Sequence, residues 1–518
     1  MGAYQSKLTP EAALHEKAVL ERLRSFAMDD DIAEDVAEDV AEDDFIHVAD
    51  EKVGRVHLSR QAEGLPVQLL SSWQSKVLQD SKNRLALSAL SAANPVEVLS
   101  QRATKIADQH IFNIQIPFEG APITNQRSSG RCWLFASTNV FRIALMQRYN
   151  LASFELSQAY LFFWDKLEKA NFFLENIIEL ADEDLESRLV QRVLADPVSD
   201  GGQWDMVYNL VDKYGLVPQA LYPDSWNAMN SRAVNYIVVA KLREYAITLR
   251  KLVRSPSVTT AALSATKQKM MREIHLVLTL TLGPPPSASE KFQWTFSDKN
   301  GKVRTVSLSP VEFAKDIASP DFRITSSVIA GHVSLVHDPR HEPLSLLSVD
   351  RLGNIVGGRG ITYINVEMNA LKQAVISMLK AGLPVFFGSD VGKFSDRVAG
   401  IMDLDIVDYA LGFNVDILRG GLTKAERLRV GESAMTHAMV LTAVHVDEKT
   451  GKPIRWRVQN SWGTDVGEKG WFVMSDAWMD EFTYQAVVDP RFLTREVKDV
   501  LKKEPIVLPL WDPMGSLA

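Results

Sequence analysis

Cysteine is nearly absent from this chain of 518 residues, in which Cys132 is the single cysteine. A single thiol excludes an internal disulfide, whereas secreted proteins commonly carry several. This composition fits a reducing compartment, and we therefore expect a cytoplasmic protein.

Long apolar runs and metal-binding motifs are missing as well. The longest apolar runs fall well short of the ~20 residues that a membrane span needs, and the N-terminus has no apolar signal segment. The sequence has no His-Glu-x-x-His, no Cys pair and no P-loop, so no metal and no cofactor are expected. With 46% hydrophobic residues and a mean hydropathy of −0.07, the chain has material for one large core or two to three smaller ones.

Basic residues are absent from positions 29–44, which hold ten Asp and Glu. Without this segment the formal charge of −8 becomes +2. Mutual repulsion predicts that residues 1–45 form a solvated extension, disordered or weakly helical. The start, Met-Gly-Ala-Tyr-Gln-Ser, matches the N-myristoylation pattern, in which Gly2 is acylated. One acyl chain gives only marginal membrane binding, and the acidic segment opposes anionic lipid.

Cys132 stands at the start of a predicted helix. Apolar residues recur at helical spacing from Trp133 to about Met146, which predicts a largely buried helix that begins at the thiol. A helix N-terminus stabilises a thiolate, and with a histidine nearby such placements bring a cysteine pKa from about 8.5 to roughly 3.5–7.5. Gln126 carries an amide that can donate to an oxyanion beside the sulfur, together with the Cys132 amide. Because a lone cysteine is often an inert core residue, the assignment depends on partners elsewhere.

His437 and Asn460 supply these partners. A thiolate nucleophile needs an imidazole that later protonates the leaving amine, and the imidazole needs a third group that fixes its tautomer and ring angle. Alternating apolar residues around His437 and the Arg-Trp-Arg-Val sequence before Asn460 predict two neighbouring strands that present both side chains at one end. Trp462 is then placed to shield the amide–imidazole hydrogen bond.

Together these motifs resemble the papain-like cysteine proteases. Gln126, the Gly-Arg-Cys-Trp around Cys132, His437 and the Asn-Ser-Trp-Gly from Asn460 follow that family's order of nucleophile, histidine and asparagine. The wording Ser-Ser-Gly-Arg-Cys-Trp-Leu-Phe-Ala, the Asp-Gly-Gly-Gln-Trp-Asp-Met segment and the C-terminal Trp-Asp-Pro-Met-Gly-Ser-Leu-Ala are most similar to the bleomycin hydrolase family of cysteine aminopeptidases. The resemblance covers roughly residues 60–518.

The resemblance implies an α+β fold: a papain-like two-lobed cysteine protease core, with a helical lobe and a β-barrel lobe, plus a large, mainly helical insertion. It implies that Gly201 and Gly202 line the substrate cleft, and that a C-terminal arm lies in the cleft where the Ala518 carboxylate holds the substrate's α-ammonium. Substrates are then peptides and aminoacyl amides, including bleomycin-type amides and homocysteine thiolactone. A homohexamer is also implied, and some family members bind nucleic acid weakly and nonspecifically.

An insertion separates the catalytic residues. Cys132 and His437 stand 305 positions apart, against about 130–150 in the small papain-like enzymes. Two helical stretches and a hairpin are predicted in the extra chain, at about 232–254, 260–280 and 291–308. The predicted regions are an N-terminal extension (1–45), a helical catalytic lobe (46–226), an inserted helical and hairpin region for oligomerisation (227–365), a β-barrel lobe (366–507) and a C-terminal arm (508–518).

The C-terminal residues are predicted in two parts. Residues 490–503 have the pattern of a closing amphipathic helix, which the Glu-Pro at 504–505 ends. The remaining residues hold two prolines and a glycine, so they are expected to be extended. Trp511 and Met514 give this arm apolar anchors.

Two other functions remain open. A transglutaminase-like acyltransferase uses a similar Cys–His pair, but typically with an aspartate as the orienting group, so Asn460 and Gln126 favour hydrolysis. The other is a nucleic-acid-binding ring with secondary peptidase activity. Residues 240–273 hold eight Lys and Arg against two Glu, although such a basic face is usually just solvated.

Overall fold

The computed structural model describes residues 64–315, 331–418 and 421–517. The predicted extension over 1–45, the acylation pattern at Gly2 and the terminal Ala518 lie outside the described residues. Within the described ranges the chain forms two compact units, residues 64–93 with 409–421 and residues 94–408 with 422–517. In these ranges no helix combines the length and the apolar character that a membrane crossing requires.

The smaller unit consists of short helices joined by polar contacts. Its helices are Val67–Gln79, Ser81–Leu90 and Tyr409–Phe413. Asp80 caps the second helix by accepting a hydrogen bond from the Lys82 amide at 2.7 Å, and Asn414 bonds to both Lys82 and Asn83. Neither of the two longer helices has a buried residue.

The larger unit contains the helical lobe and most of the sheet. Its α-helices are Pro95–Val98, Arg102–Ala107, Cys132–Arg148, Gln158–Glu179, Arg188–Ala195, Trp204–Tyr214, Trp226–Met229, Arg232–Val253, Thr260–Leu282, Pro310–Lys315, Met368–Lys380, Lys424–Val430, Asp476–Phe482 and Arg495–Asp499. Single 3₁₀ turns are found at Gln219–Leu221, Pro490–Phe492, Val500–Lys502 and Pro513–Gly515.

One sheet connects twelve strands of the described chain. In spatial order they are Ile506–Leu508, Leu346–Val349, Tyr363–Asn365, Val333–Val336, Thr483–Val488, Val385–Ser389, His437–Val446, Pro453–Gln459, Trp471–Ser475, Ile401–Met402 and Ser395–Asp396, with Ile114–Gln115 paired to His437–Val446. The histidine strand, His437–Val446, is central and pairs antiparallel with Val385–Ser389 and Pro453–Gln459. It is buried from His437 to Val444, so both of its faces are covered, and the apolar residues after His437 are interrupted in this range only by Thr442.

The nucleophile helix, Cys132–Arg148, is buried from Cys132 to Met146. Its hydroxyl groups are satisfied within the helix: Ser137 donates to the Trp133 carbonyl at 2.6 Å, and Thr138 donates to the Leu134 carbonyl at 2.7 Å. A helix that is covered on every side has no polar face. The buried helix predicted from the apolar spacing is therefore confirmed.

The inserted segment begins as the sequence predicts. The two long helices, Arg232–Val253 and Thr260–Leu282, are followed by the hairpin Phe292–Ser297 and Val303–Leu308. The second half differs from the expected helical and hairpin character: strands Val333–Val336, Leu346–Val349 and Tyr363–Asn365 extend the central sheet. The boundaries between the five predicted regions remain predictions.

The basic segment of the first long helix is largely engaged within the protein. Arg250 is only 4% exposed and donates to the Leu180 carbonyl at 2.7 Å, just beyond helix Gln158–Glu179. Arg254 donates to the carbonyls of Ala181 and Glu183. Cations at a helix C-terminus satisfy carbonyls that lack an intrahelical partner. Arg250 and Arg254 therefore serve to cap the end of this neighbouring helix.

The C-terminal residues follow the prediction only in part. A single helix over 490–503 is wrong, because the segment forms two 3₁₀ turns around the five-residue helix Arg495–Asp499. Side chains interrupt it: Asp489 caps the first turn, and the Thr494 hydroxyl accepts from the Val497 amide to start the helix anew. The extended arm is confirmed at Ile506–Leu508, which pairs parallel with strand Leu346–Val349, but the prediction is wrong for Pro513–Gly515, which forms a 3₁₀ turn capped by Asp512.

Candidate active site

Arg131 fixes the turn that leads into the nucleophile helix. Its side chain is fully buried and forms a two-pronged ion pair with Asp224, at 2.7 and 3.2 Å. Its Nε atom donates to the Ser129 hydroxyl at 2.9 Å. The guanidinium also lies over the rings of Phe135 and Phe162. Bidentate geometry of this kind fixes orientation as well as contact.

Cys132 is the first residue of its helix, and its side chain is buried against the histidine strand. Burial raises the pKa of the thiol to about 11, and hydrogen bonds from the backbone N–H groups of Ala438, Trp133 and Cys132 itself act in the opposite direction. Ala438 directly follows His437, so this contact places the sulfur beside the histidine. The N–H groups of Cys132 and Trp133 belong to the first helical turn, where amides lack intrahelical partners.

His437 begins the central strand, and Asn460 follows the end of the neighbouring one. The imidazole Nε2 and the Asn460 Oδ1 are 2.9 Å apart, and both residues are buried. The Trp462 ring lies 4.9 Å from the imidazole, centroid to centroid. Burial lowers the pKa of His437 to about 4, although the hydrogen bond to Asn460 favours the protonated ring. The bond leaves Nδ1 as the ring nitrogen available to the thiol.

The raised pKa of Cys132 and the lowered pKa of His437 both favour the uncharged thiol and imidazole. Proton transfer from sulfur to imidazole leaves the net charge unchanged and creates an attraction between adjacent opposite charges in a water-excluded site. We therefore expect the reactive ion pair to form by proton transfer within the pair.

Gln126 is held by four hydrogen bonds, one of which its backbone carbonyl accepts from the Ser129 hydroxyl at 2.6 Å. Its backbone N–H donates to the Ser461 carbonyl at 2.8 Å, its Oε1 accepts from the Ser461 hydroxyl at 2.7 Å, and its Nε2 donates to the Ser129 carbonyl at 2.7 Å. The primary amide has a second hydrogen on Nε2. The residue thus bridges the turn before Cys132 and the segment after Asn460, with one donor left for a developing oxyanion.

The Gly-Gly segment packs directly on the residue after the nucleophile. A Cβ atom at Gly202 would lie 2.5 Å from the Trp133 ring, so only glycine fits there. The Trp133 indole donates to the Asp200 carbonyl at 2.6 Å, and the Gly201 carbonyl accepts from Lys169 at 2.6 Å. These contacts place the backbone of Gly201 and Gly202 alongside the start of the nucleophile helix.

Asp200 connects the Gly-Gly segment to three other elements: the turn before Cys132, helix Gln158–Glu179 and the start of helix Arg232–Val253. Its carboxylate accepts from the Gly130 amide at 3.1 Å and from Asn235 at 2.8 Å, pairs with Lys166 at 2.6 Å and accepts from the Ser231 hydroxyl. Burial opposes its ionisation, but Lys166 and these hydrogen bonds outweigh burial and hold the pKa of Asp200 well below its usual value. Its negative charge raises the pKa of the Cys132 thiol.

The C-terminal arm reaches both sides of the cleft. The Ser516 hydroxyl donates to the Met435 carbonyl at 2.8 Å, two residues before His437. The Ser516 carbonyl accepts from Gln203 at 2.8 Å, directly after Gly202. The arm therefore joins the Gly-Gly segment to the approach of the histidine strand.

A buried ion pair anchors the arm upstream of Ser516. Arg340 donates to both carboxylate oxygens of Asp512, at 2.7 and 3.2 Å, and to both oxygens of the fully buried Asp338. Asp512 also caps the last turn through the Met514 amide at 2.8 Å. Met514 is itself buried, as predicted for an apolar anchor. A desolvated bidentate pair holds its two partners in one geometry.

This arrangement supports acyl transfer through a thioester. The Cys132 sulfur bonds to the substrate carbonyl carbon, and the amide C–N bond breaks as the His437 imidazolium gives its proton to the leaving nitrogen. Water then adds to the acyl carbon while His437 takes its proton, and the C–S bond breaks. We expect Gln126 and the first-turn amides to stabilise the oxyanion in both steps.

A buried cysteine at a helix start facing a histidine–asparagine pair on a sheet is the arrangement of a papain-like cysteine peptidase. Comparison with known proteins agrees, since the profile of the Peptidase C1-like family matches residues 64–515. The chain belongs to this family and is a cysteine peptidase.

Full-length relatives refine this assignment. The chain is 42% identical to human bleomycin hydrolase over 463 residues, 88% of this chain and 99% of that protein. It is also 42% identical over 471 residues to the mitochondrial cysteine proteinase 1 of Saccharomyces cerevisiae, 90% of this chain and 95% of that protein. The crystal structure of PepW from Lactobacillus rhamnosis superposes with a TM-score of 0.82 at 40% identity, covering 88% of this chain and 99% of PepW.

The structure brings together six of the residues expected in the site from sequence: Cys132, His437, Asn460 and Gln126, with Gly201 and Gly202 beside them. Ala518 lies outside the described residues. Sequence reasoning missed Asp200, Arg131 and Met435. Asp200 directly precedes Gly201 and Gly202, and Arg131 directly precedes Cys132. A charged residue at each of these positions could have indicated a role in holding the site. Met435 acts through its carbonyl, which no sequence pattern shows.

Proposed function

We propose that the protein is a cysteine aminopeptidase that releases N-terminal residues from peptides. The observation that carries the proposal is Ser516, which bonds to Gln203 on one side of the cleft and to Met435 on the other. A polypeptide already bound along this part of the cleft leaves room for a substrate that begins near Cys132. The arm therefore acts as a stop for longer chains.

The proposed selectivity element is the terminal carboxylate. Ala518 follows Leu517, which lies at the end of the docked arm, and the proposal assigns its carboxylate to the substrate's α-ammonium. Opposite charges about 4 Å apart attract by roughly 4 kcal/mol at an effective dielectric of 20, before desolvation is subtracted. Peptides with free amino termini and aminoacyl amides, bleomycin-type amides and homocysteine thiolactone among them, belong to the substrate class that this recognition favours.

The proposed setting is a cytoplasmic homohexamer. The single cysteine supports a reducing compartment, while the yeast relative carries the word mitochondrial in its name. Leu276 and Leu280 on the second long helix are 55% and 77% exposed, which supports burial in an assembly. Mass measurement of the purified protein in solution checks the hexamer.

The decisive test of the function is the choice between matched peptides. Hydrolysis of Leu-Gly-Gly and N-acetyl-Leu-Gly-Gly is followed by mass spectrometry with wild type and with Cys132→Ala. The proposal expects cleavage after the free N-terminal Leu, little cleavage of the blocked peptide, and neither with Cys132→Ala. Equal rates on the two peptides would contradict an aminopeptidase, and activity retained in Cys132→Ala would remove the cysteine mechanism as well. Release of free leucine without added amine distinguishes hydrolysis from acyl transfer.

A further inference from the structure

An open depression of about 550 Å³ lies beside the turn that precedes the nucleophile. Its lining consists of Ser128, Trp226, Asn230, Arg232, Ala233 and Tyr236. Trp226 and Tyr236 are 65% and 76% exposed, although large aromatic side chains are usually more covered. We call this set the aromatic pocket.

Main-chain contacts tie the aromatic pocket to the catalytic turn. The Ser128 amide donates to the Met229 carbonyl at 2.9 Å, and its carbonyl accepts from the Ser231 amide at 3.4 Å. Ser128 stands between Gln126 and Cys132, so one pocket wall is part of the turn that carries both. A second connection runs through Asp200, whose carboxylate accepts from Ser231 and from the Gly130 amide.

The contacts of the Gly-Gly segment show on which side of the cleft the aromatic pocket lies. The arm binds Gln203 at one end of this segment, and the contacts to the aromatic pocket start from Asp200 at the other. A substrate that begins where the arm ends must lie beside Gly201 and Gly202 to present its carbonyl to Cys132. The side chain of that first substrate residue would then lie next to the aromatic pocket.

We propose that the aromatic pocket binds the side chain of the residue that the enzyme releases, and that it favours large apolar side chains over small or basic ones. The inference rests on the proposed cysteine peptidase activity and adds the specificity of its cleft. Trp226 and Tyr236 offer two apolar faces, and stacking or edge contact with them strengthens with the size of the bound group.

Arg232 supplies the discrimination by charge. Its guanidinium makes no hydrogen bond and no ion pair with other residues in the described part of the chain, and the residue is exposed at the first position of helix Arg232–Val253. A free guanidinium at the pocket wall repels a substrate lysine or arginine side chain and leaves an uncharged one unaffected. Loss or reversal of this charge changes relative rates on basic and apolar residues without touching the catalytic groups.

The test is a series of peptides X-Gly-Gly and N-acetyl-X-Gly-Gly in which X is Leu, Phe, Gly or Lys. Competitive hydrolysis gives ratios of kcat/KM within each series, and the same side-chain preference is scored in whichever series the enzyme cleaves. Trp226→Ala and Tyr236→Ala are each expected to reduce the Phe-to-Gly ratio about tenfold. Arg232→Glu is expected to raise the Lys-to-Leu ratio about fivefold.

Matched controls separate the pocket from general effects. Trp73→Ala removes a 44% exposed tryptophan from the smaller unit, and Lys269→Glu reverses an exposed charge on the second long helix. Neither is expected to change the ratios. Solution mass is measured for every variant, because the same aromatic faces could instead contact a second copy of the chain.

Three results would overturn the inference. Unchanged kcat/KM ratios in Trp226→Ala, Tyr236→Ala and Arg232→Glu would overturn the inference but not the proposed peptidase function. Ratios that change only with a change in solution mass would assign the pocket to an interface between copies. If wild type cleaves neither series, the proposed function fails and this inference falls with it. A preference restricted to the acetylated series, with the expected variant effects, would retain the pocket and reject the aminopeptidase.

Discussion

The two sides of the cleft position their catalytic residues by different means. On the cysteine side, buried ion pairs surround the nucleophile: Arg131 with Asp224, and Lys166 with Asp200. On the histidine side, His437 begins a strand that is buried along most of its length, and its ring is oriented by Asn460 and covered by Trp462. A turn before a helix has few backbone bonds of its own, whereas a central strand is fixed by ladders on both edges. On the cysteine side, buried charge therefore compensates for missing regular structure.

The largest effect should come from the two reacting groups, because neither side can supply the other's chemistry. Cys132→Ala and His437→Ala are each expected to lower kcat/KM for peptide hydrolysis by about 10⁴-fold or more, and the double variant should cost little beyond either single one. Steady-state kinetics on Leu-Gly-Gly measures this. Additive losses would mean that the two residues do not act as a unit.

Gln126 joins the two sides, so its loss tests whether the bridge acts on the transition state. Gln126→Ala should lower kcat by about 10²–10³-fold if the amide donates to the oxyanion. Gln126→Glu, which keeps the shape but has no N–H donor, is the matched variant and should behave similarly. A rise confined to KM would place Gln126 in substrate binding instead.

Substitution of Asp200 tests whether its charge affects the pKa of Cys132 as well as the position of the turn before Cys132. Asp200→Asn should lower kcat by about 10- to 100-fold through displacement of the turn. It should also shift the pH midpoint of Cys132 alkylation downward, because a negative charge that raises the thiol pKa is removed.

The control for Asp200 keeps the buried charge balanced. Asp200→Asn combined with Lys166→Met removes both members of the pair and avoids an unpaired buried lysine. Its alkylation midpoint should lie closer to wild type than that of Asp200→Asn alone. Identical midpoints in all three proteins would assign Asp200 a purely structural role.

The histidine side should respond to acid through stability. Burial lowers the pKa of His437 to about 4, below the unfolded value of 6.5. The unfolded chain thus binds the proton first, so the stability from a neutral His437 is present above pH 6.5 and is lost as pH falls toward 4, by about 3 kcal/mol. His437→Gln should flatten this dependence in chemical denaturation between pH 7 and 4.

His337 is the matched control for this acid response. Burial also lowers its pKa to about 4, and it follows strand Val333–Val336 outside the catalytic pair. His337→Gln should likewise reduce the acid sensitivity of unfolding while hydrolysis at pH 7 stays near wild type. Equal loss of hydrolysis in His437→Gln and His337→Gln would contradict the prediction that His337 has no part in the catalytic site.

Local patterns predicted the elements that depend on local physics. The apolar spacing after Cys132, the two long helices and the Asn-Gly hairpin are found close to the expected residues. Motif order was enough to bring Cys132, His437 and Asn460 into one site. The helix expected over 490–503 failed because Asp489 and Thr494 cap short turns and compete with a continuous helix.

Features that depend on distant contacts could not be predicted in the same way. Asp200 matters because Lys166, Ser231 and Asn235 converge on it from two other helices and a loop. The pairing of Val333–Val336 with Thr483–Val488 likewise joins residues about 150 positions apart. Such contacts are set by the packed fold, and short-range periodicity carries no information about them.

The arm contacts both sides of the cleft without supplying a reacting group, and its removal tests whether it selects free amino termini. A chain that ends at Trp511 loses Asp512, Ser516 and the terminal carboxylate but keeps every catalytic residue. The measurement is the ratio of kcat/KM for Leu-Gly-Gly to that for N-acetyl-Leu-Gly-Gly, in the truncated and full-length proteins. We predict a ratio of about 10² in the full chain, from an ion pair partly offset by desolvation. After truncation the ratio should be near one, and Cys132→Ala should still abolish cleavage of blocked peptides. An unchanged ratio after truncation would show that the arm does not select free amino termini.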